Sequence, residues 1–223
     1  MKGRGKAMQE KAISKQTLQR LPLYLSYLKT IDCKNSQQYI SATGIADALG
    51  LNDVQVRKDL SMVSSRGRPK VGYIAKDLIE DIERYLGYNS QVEAIIVGVG
   101  NLGRALISYA GFKDYGLNIV AGFDSSESVC GMTVSGRKIY DMSKIGEICR
   151  EMNVKIAIIT VPSSHAQEVC NILVESGILA IWNFAPTLLK TPPGVLVQNE
   201  NMASSLAVLS KHLAEKLSGE KEG

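Results

Sequence analysis

The sequence has no apolar run near the roughly 18 residues that a membrane-crossing helix needs. Its first residues, MKGRGKAMQEKAIS, are basic and polar and lack the apolar stretch of a secretion signal. A cytoplasmic protein with no membrane partner is the expectation. Cysteine is scarce and scattered: Cys33, Cys130, Cys149 and Cys170 lie far apart and form no CxxC pair. This spacing argues against a zinc site or a disulfide framework and predicts reduced, mostly buried thiols and no bound metal. A chain of 223 residues is long enough for one large domain or two small ones, and two is the expectation because single cores rarely grow far beyond this size.

Excess positive charge is also missing from most of the chain. The net charge of +4 conceals a division: residues 1–75 carry 13 Lys/Arg against 5 Asp/Glu, whereas the remaining 148 carry 13 against 17. A basic third on an otherwise acidic chain is the electrostatic footprint of a polyanion-binding module. Lys2, Arg4 and Lys6 alone would be no more than a solvated basic tail.

The basic third has helical spacing. From Ile13 to Ile31, Leu18, Leu21, Leu25 and Leu28 recur on one helical face. Ser41 is placed to cap a second, short helix that carries Ile45, Ala46 and Leu49 inward and stops at Gly50. After a tight turn Asn52 caps a third helix, with Gln55 as its capping-box partner and Val56, Leu60 and Val63 as its inner stripe. Two helices joined by a short turn, the second exposing Gln55, Arg57, Lys58 and Ser61, is the arrangement that sets a recognition helix in the major groove. Arg57 suits a guanine edge, Gln55 an adenine and Lys58 a phosphate. By itself this helix fits an ordinary three-helix bundle equally well. The next segment, SSRGRPKVGYIA, interleaves Arg66, Arg68 and Lys70 with Gly67, Pro69 and Gly72, and reads as a β-hairpin wing whose basic tip lies along a minor groove. The predicted DNA contacts are Asn52, Gln55, Val56, Arg57, Lys58, Ser61, Arg66, Arg68 and Lys70. Residues 76–90 read as a short helical linker ending at Gly87.

The remainder reads as a doubly wound α/β domain. An apolar strand, VEAIIV, runs into GVGNLG, so Gly98, Gly100 and Gly103 precede a helix that begins at Arg104. Glycines at these positions permit a tight turn, close approach of backbone to a pyrophosphate, and close helix-to-strand packing. A second strand, NIVAGFD, ends at Asp124, where a carboxylate meets the adenosine ribose. Ser125 and Ser126 follow it in place of an arginine, which selects NAD(H) over NADP(H). Further strands, KIAIITV and LAIWNF, alternate with a helix from Ser164 to Val174 and give a parallel sheet. By the rule that ligands lie beyond the carboxyl ends of such strands, Thr160, Val161 and Pro162 and the loop Asn183, Phe184, Ala185, Pro186 should border the nicotinamide. Their apolar character favours the neutral reduced ring over the cationic oxidised one. After the short strand GVLVQN, the helical stripe Met202, Leu206, Leu209, Leu213 and Leu217 packs either on its own domain or on a second subunit. Reading a palindrome requires a two-fold dimer, which favours the latter.

The segments ISKQTLQRLPLYL, QVRKDLS, KVGY, GVGNLGRAL, TVP, AQ and NFAP, in this order and spacing over nearly the whole chain, resemble the Rex family of redox-sensing transcriptional repressors. The resemblance implies a winged helix-turn-helix at 1–76, a linker helix at 77–91, a Rossmann domain at 92–200 and a C-terminal helix at 201–223 that is exchanged between the subunits of a homodimer. It implies NADH and NAD⁺ as ligands that are not turned over, and palindromic double-stranded operator DNA as partner. NADH would draw the paired recognition helices into a geometry that releases DNA. It places Gly98, Val99, Gly100, Asn101, Leu102 and Gly103 on the pyrophosphate, Asp124 on ribose and Tyr109 near the nicotinamide. The chain departs from the family pattern at the wing, where SMVSSRGRPKVGY puts Pro69 in place of an arginine. It also carries Ser26 and Asn201 where relatives often have an arginine and an aspartate, so that ion pair cannot form. Two other readings stay open: a small NAD-dependent dehydrogenase with His165 as acid or base, and a DNA-binding protein whose Rossmann domain serves only for dimerisation.

Overall fold

The computed structural model describes residues 13–31 and 38–219; Lys2, Arg4, Lys6 and Cys33 lie outside them. The chain divides into two units, Met1–Asn89 and Ser90–Gly223.

In the first unit, α1 (Lys15–Thr30) starts where the Ser14 hydroxyl accepts from the Thr17 N–H at 3.2 Å, satisfying one of the amides that a helix start leaves unpaired. Its inner face is Thr17, Leu21, Tyr24, Leu25 and Leu28. Leu18, read as part of the stripe, is 42% exposed. It sits one residue, about 100°, away from the face that the 4-3-4 spacing from Thr17 defines. A short strand β1 (Tyr39–Ile40) leads into α2 (Ala42–Leu49), α3 (Asp53–Val63), β2 (Tyr73–Ile74) and α4 (Ala75–Leu86). Ser41 and Asn52 cap α2 and α3 through their side-chain oxygens, and Gly50 closes α2 in the left-handed conformation at φ 64°. β1 and β2 pair antiparallel. Between α3 and β2 the chain makes a tight turn closed by Arg68 N–H to Gly72 O at 2.8 Å. Gly72 has no substitute here, because a Cβ would meet the Ile40 carbonyl oxygen at 2.3 Å. α4, read as a linker, is a core helix: Leu78 and Ile82 are fully buried in the cluster that holds Leu21, Leu25, Ile45, Val56 and Leu60.

The second unit comprises β3 (Val92–Val97), α5 (Asn101–Ser108), β4 (Leu117–Asp124), β5 (Thr133–Val134), β6 (Arg137–Asp141), α6 (Ile145–Glu151), β7 (Ile156–Ile159), α7 (Ser163–Glu175), β8 (Ala180–Asn183), β9 (Leu196–Asn199) and α8 (Met202–Gly219). The sheet order is β5-β6-β4-β3-β7-β8-β9. Every pairing is parallel except β5 with β6 at the edge. Counting the parallel strands in chain order gives 3-2-1-4-5-6, the dinucleotide-binding order, with its switch point between β3 and β7. Both sheet faces are buried. Ile95, Val97, Ala157 and Ile159 enter one cluster, while Ile96 and Ile158 enter the other. This explains why these strands read as continuous apolar runs. Cys149 and Cys170 are buried free thiols and Cys130 is half-buried and free. Among the described residues the leucines of α8 find no cover: Leu206, Leu209, Leu213 and Leu217 are 53–65% exposed.

Candidate nucleotide cleft and nucleic-acid interface

β3 ends by turning sharply at Gly98, whose φ of 95° suits glycine. The Gly98 N–H donates to Phe123 O at 2.8 Å and the Thr160 hydroxyl donates to Gly98 O at 2.6 Å, so the turn is fastened to both neighbouring strands. The three glycines have different surroundings. A Cβ on Gly98 would lie 2.8 Å from Val161 Cγ1, and one on Gly103 would lie 2.0 Å from Gly98 O, whereas one on Gly100 would meet nothing within 4 Å. Gly98 and Gly103 are therefore packing glycines, and Gly100 leaves open the space in front of α5. At the tip of β4, Asp124 accepts from Val99 N–H at 2.7 Å and from Ser126 N–H at 2.9 Å. This holds the carboxylate against the glycine turn.

A cleft of about 650 Å³ opens here, at the carboxyl ends of β3, β4 and β7, within the usual range for small-molecule sites. It gathers Gly98, Gly100, Asp124, Thr160, Val161 and Pro162 from among the predicted residues. Ser125, which follows Asp124, and His165, named for the dehydrogenase reading, also line it; Met142 after β6 and Glu168, Val169 and Ile172 from α7 were not anticipated. The α7 residues follow 3–4 spacing, one face of the helix behind TVP, a signal the sequence did contain.

Thr160–Pro162 do line the cleft, together with Asp124. Several other predicted residues lie elsewhere. The Val99 side chain is buried in the core and offers only its backbone. Asn183 is a satisfied core amide: its Nδ2 donates to Thr187 O at 2.8 Å and Asn199 Oδ1 at 2.9 Å, and its Oδ1 accepts from Ala185 N–H at 3.0 Å. Ala185 is buried as well, and Pro186 borders a separate hollow with Asn199 and Asn201. Tyr109 is outside the cleft walls and heads a row of rings: Tyr109 on Phe112 (4.9 Å between centroids), Phe112 on Trp182 (5.7 Å) and Trp182 on Phe184 (4.8 Å). Asn101 and Leu102 form the first turn of α5. Asn201 Oδ1 accepts from Ser204 N–H at 3.1 Å at the start of α8, and Ser26 is exposed on α1.

On the first unit, α3 exposes Asn52, Gln55, Arg57, Lys58 and Ser61. Val56, also read as a DNA contact, is fully buried: it lies on the inner stripe with Leu60, one turn away. Arg57 pairs with Asp53 at 3.0 Å and stays largely exposed. Arg66 is corrected too. Its guanidinium is held by Asp81, with Asp77 at 3.4 Å and Glu80 at 3.8 Å, so it fastens the base of the wing to α4 instead of standing at the tip. Arg68 donates to the Tyr39 hydroxyl at 3.1 Å. Lys70 has φ 63°, a left-handed conformation that costs a non-glycine residue about 1 kcal/mol or more. Arg57, Arg68 and Lys70 surround a hollow that also takes in Ser41 and Thr43 at the start of α2; Thr43 was not anticipated. Behind α3 the buried Asp59 accepts from Arg20 Nε at 2.7 Å, Tyr24 Oη at 2.8 Å and Thr17 Oγ1 at 3.0 Å. Burial works to raise its pKa, but these hydrogen bonds outweigh burial and hold it below the usual carboxylate value. Oriented with its oxygen towards α1, the Gln55 amide accepts from Arg20 Nη2 at 3.0 Å.

A winged helix with a basic face, on one chain with a dinucleotide-type cleft, defines a DNA-binding regulator built around a nucleotide-binding domain. Residues 12–61 match the model of a putative DNA-binding protein N-terminus and residues 89–187 that of a CoA binding domain. The chain is 41% identical over 200 residues to a redox-sensing transcriptional repressor Rex from Treponema denticola, covering 90% of this chain and 95% of that one. It is 37% identical to the Rex repressor of Bacteroides thetaiotaomicron over 201 residues, 90% and 91% of the two chains. The crystal structure of RSP in complex with β-NAD⁺ and operator DNA superposes with a TM-score of 0.86 at 30% identity, covering 95% of this chain and 97% of RSP. RSP with β-NADH gives 0.84 at the same identity. The chain belongs to the Rex family of redox-sensing transcriptional repressors, whose members are regulators and not enzymes.

Proposed function

We propose that the protein represses transcription by binding operator DNA through α3 and its wing, and that NADH binding in the second unit releases it, so that repression follows the NADH/NAD⁺ ratio. The cleft carries this reading: a glycine turn with one open position, Gly100, and a carboxylate, Asp124, pinned to the turn by Val99 N–H at 2.7 Å. The open turn and the α5 start suit a pyrophosphate, and Asp124 suits a ribose diol while repelling a 2′-phosphate. Tyr109 and Phe184, at the two ends of the aromatic row, are the side chains assigned to the nicotinamide. In the DNA interface Gln55 and Arg57 read base edges, and Lys58, Arg68 and Lys70 meet phosphate and minor groove. The functional unit is a homodimer on a palindromic site, with the bare leucine stripe of α8 as its contact.

Switching needs NADH to bind the DNA-incompetent conformation more tightly than the competent one by a few kcal/mol. Operator affinity titrated separately with NADH and NAD⁺ tests this. Release by NADH at concentrations where NAD⁺ leaves the complex intact is the expected result, and equal release by both would remove the sensing role.

A further inference from the structure

We propose that the cleft accepts adenosine 5′-diphosphates in general, so that nucleotides without a nicotinamide, ADP above all, occupy it as redox-silent competitors of NADH. This inference rests on the nucleotide reading of the same cleft and adds a second class of ligand to it.

Three groups of residues in the cleft wall match parts of adenosine diphosphate. Gly98 and Gly100 face the cleft with backbone alone, where a pyrophosphate needs close approach. Asp124 spends one lone pair of each oxygen on Val99 and Ser126 N–H. An ionised carboxylate has about four such sites, which leaves acceptors for two ribose hydroxyls. Met142, Val161, Val169 and Ile172 give the cleft an apolar lining that suits a flat base. The ring row that begins at Tyr109 and ends at Phe184 contributes to none of these walls. The groups that hold the nucleotide are therefore separate from those assigned to the redox-active ring. A ligand that fills the first set and lacks the ring has affinity for the cleft and little means of telling one conformation from the other. Such a ligand shifts no equilibrium however well it binds, yet it excludes NADH. The NADH concentration needed for release then rises in proportion to one plus the ratio of ADP concentration to its dissociation constant.

The carboxylate also sets a limit on the class. Coenzyme A carries a phosphate on the ribose 3′ oxygen, which would stand against Asp124, whereas dephospho-coenzyme A leaves both hydroxyls free.

The test uses the full-length protein. ADP should bind one site per chain by calorimetry, shift the NADH release curve to higher NADH in parallel fashion, and by itself change operator affinity less than twofold. Dephospho-coenzyme A should compete at least tenfold better than coenzyme A. Failure of millimolar ADP to displace NADH, with NADH still binding and releasing operator, would overturn this proposal and leave the sensor reading standing. Operator release by ADP alone, or equal competition by the two coenzyme A forms, would also overturn it. Failure of NADH itself to bind would instead remove the proposed function.

Discussion

Replacing Gly103 by alanine should separate the two roles that glycines play in the turn. The added methyl would lie 2.0 Å from Gly98 O and 3.1 Å from Thr160 Oγ1. Real Cβ contacts essentially never fall below 3.0 Å, so α5 must move at least 1 Å from the turn. Both obstructing atoms belong to the fastening of that turn, since Thr160 Oγ1 donates to Gly98 O at 2.6 Å, and no flexible side chain can yield. Overpacking of this kind costs about 1–3 kcal/mol. For a domain of this size that is roughly 4–12 °C in melting temperature, at about 4 °C per kcal/mol. Gly100→Ala provides the control, because its Cβ meets no protein atom within 4 Å. It should leave the melting temperature within about 2 °C, while weakening NADH tenfold or more by intruding where the pyrophosphate must approach. Differential scanning calorimetry and NADH fluorescence titration on both variants read the two effects independently. A Gly103→Ala protein as stable as the parent, or a Gly100→Ala protein with undiminished NADH affinity, would refute the division of roles.

Asp124→Arg should weaken NADH and improve NADPH, measured as the ratio of the two affinities; an unchanged ratio takes Asp124 off the ribose. Leu209→Lys with Leu213→Lys, both on the bare stripe of α8, should convert the proposed dimer to monomer in sedimentation equilibrium and leave the far-ultraviolet dichroism of both domains intact. Lys70→Gly should relieve left-handed strain and stabilise the first domain by about 1 kcal/mol. It should also weaken operator binding and lower the salt slope by about one; tighter operator binding would contradict the assignment. Burial, reinforced by Asp59, pushes the Tyr24 hydroxyl up to about 12. A raised folded-state pKa contributes stability that is complete below the unfolded value near 10 and is lost as pH rises towards 12. Asp59 acts in the opposite direction: its lowered pKa contributes stability above the unfolded carboxylate value that is lost on acidification below about pH 4. Chemical denaturation across pH should show both losses, and Tyr24→Phe should flatten the alkaline one.

What the sequence disclosed and what it hid follow from where each signal resides. The strand VEAIIV, the glycine turn and Asp124 were legible because a strand buried on both faces and a tight turn restrict composition locally. Ser41, Gly50 and Asn52 were legible as caps for the same reason. β5, β6 and α6 were not. RKIYD places one fully buried residue, Ile139, among polar neighbours, and Met142 was missed along with the strand that delivers it. Thr17 takes an inner position that an apolar pattern would not assign it, because the buried Asp59 forty-two residues away needs donors. Arg66 shows the converse error. A cation in a basic loop reads as a phosphate contact until Asp77, Glu80 and Asp81 in the following helix are counted against it.

Discrimination between the two redox states then turns on water. An aromatic row attracts a cation, by about 0.5–1 kcal/mol at exposed sites and about 2 when desolvated, which by itself would favour the oxidised ring. Removing that cation from water costs several kcal/mol, which favours the reduced one. With Tyr109 55% exposed within the chain, desolvation is incomplete and neither ring gains a decisive advantage. If the proposed switch includes a surface that closes over Tyr109, the desolvation cost there would exceed the cation–π gain and favour the neutral ring. Preference for NADH is in this account a property of the closed state alone, so the ligand that closes the site best is also the one that shifts the population. On the proposed assignment of Tyr109 to the nicotinamide, covering Tyr109 would be the step that links the redox state of the ring to release of DNA.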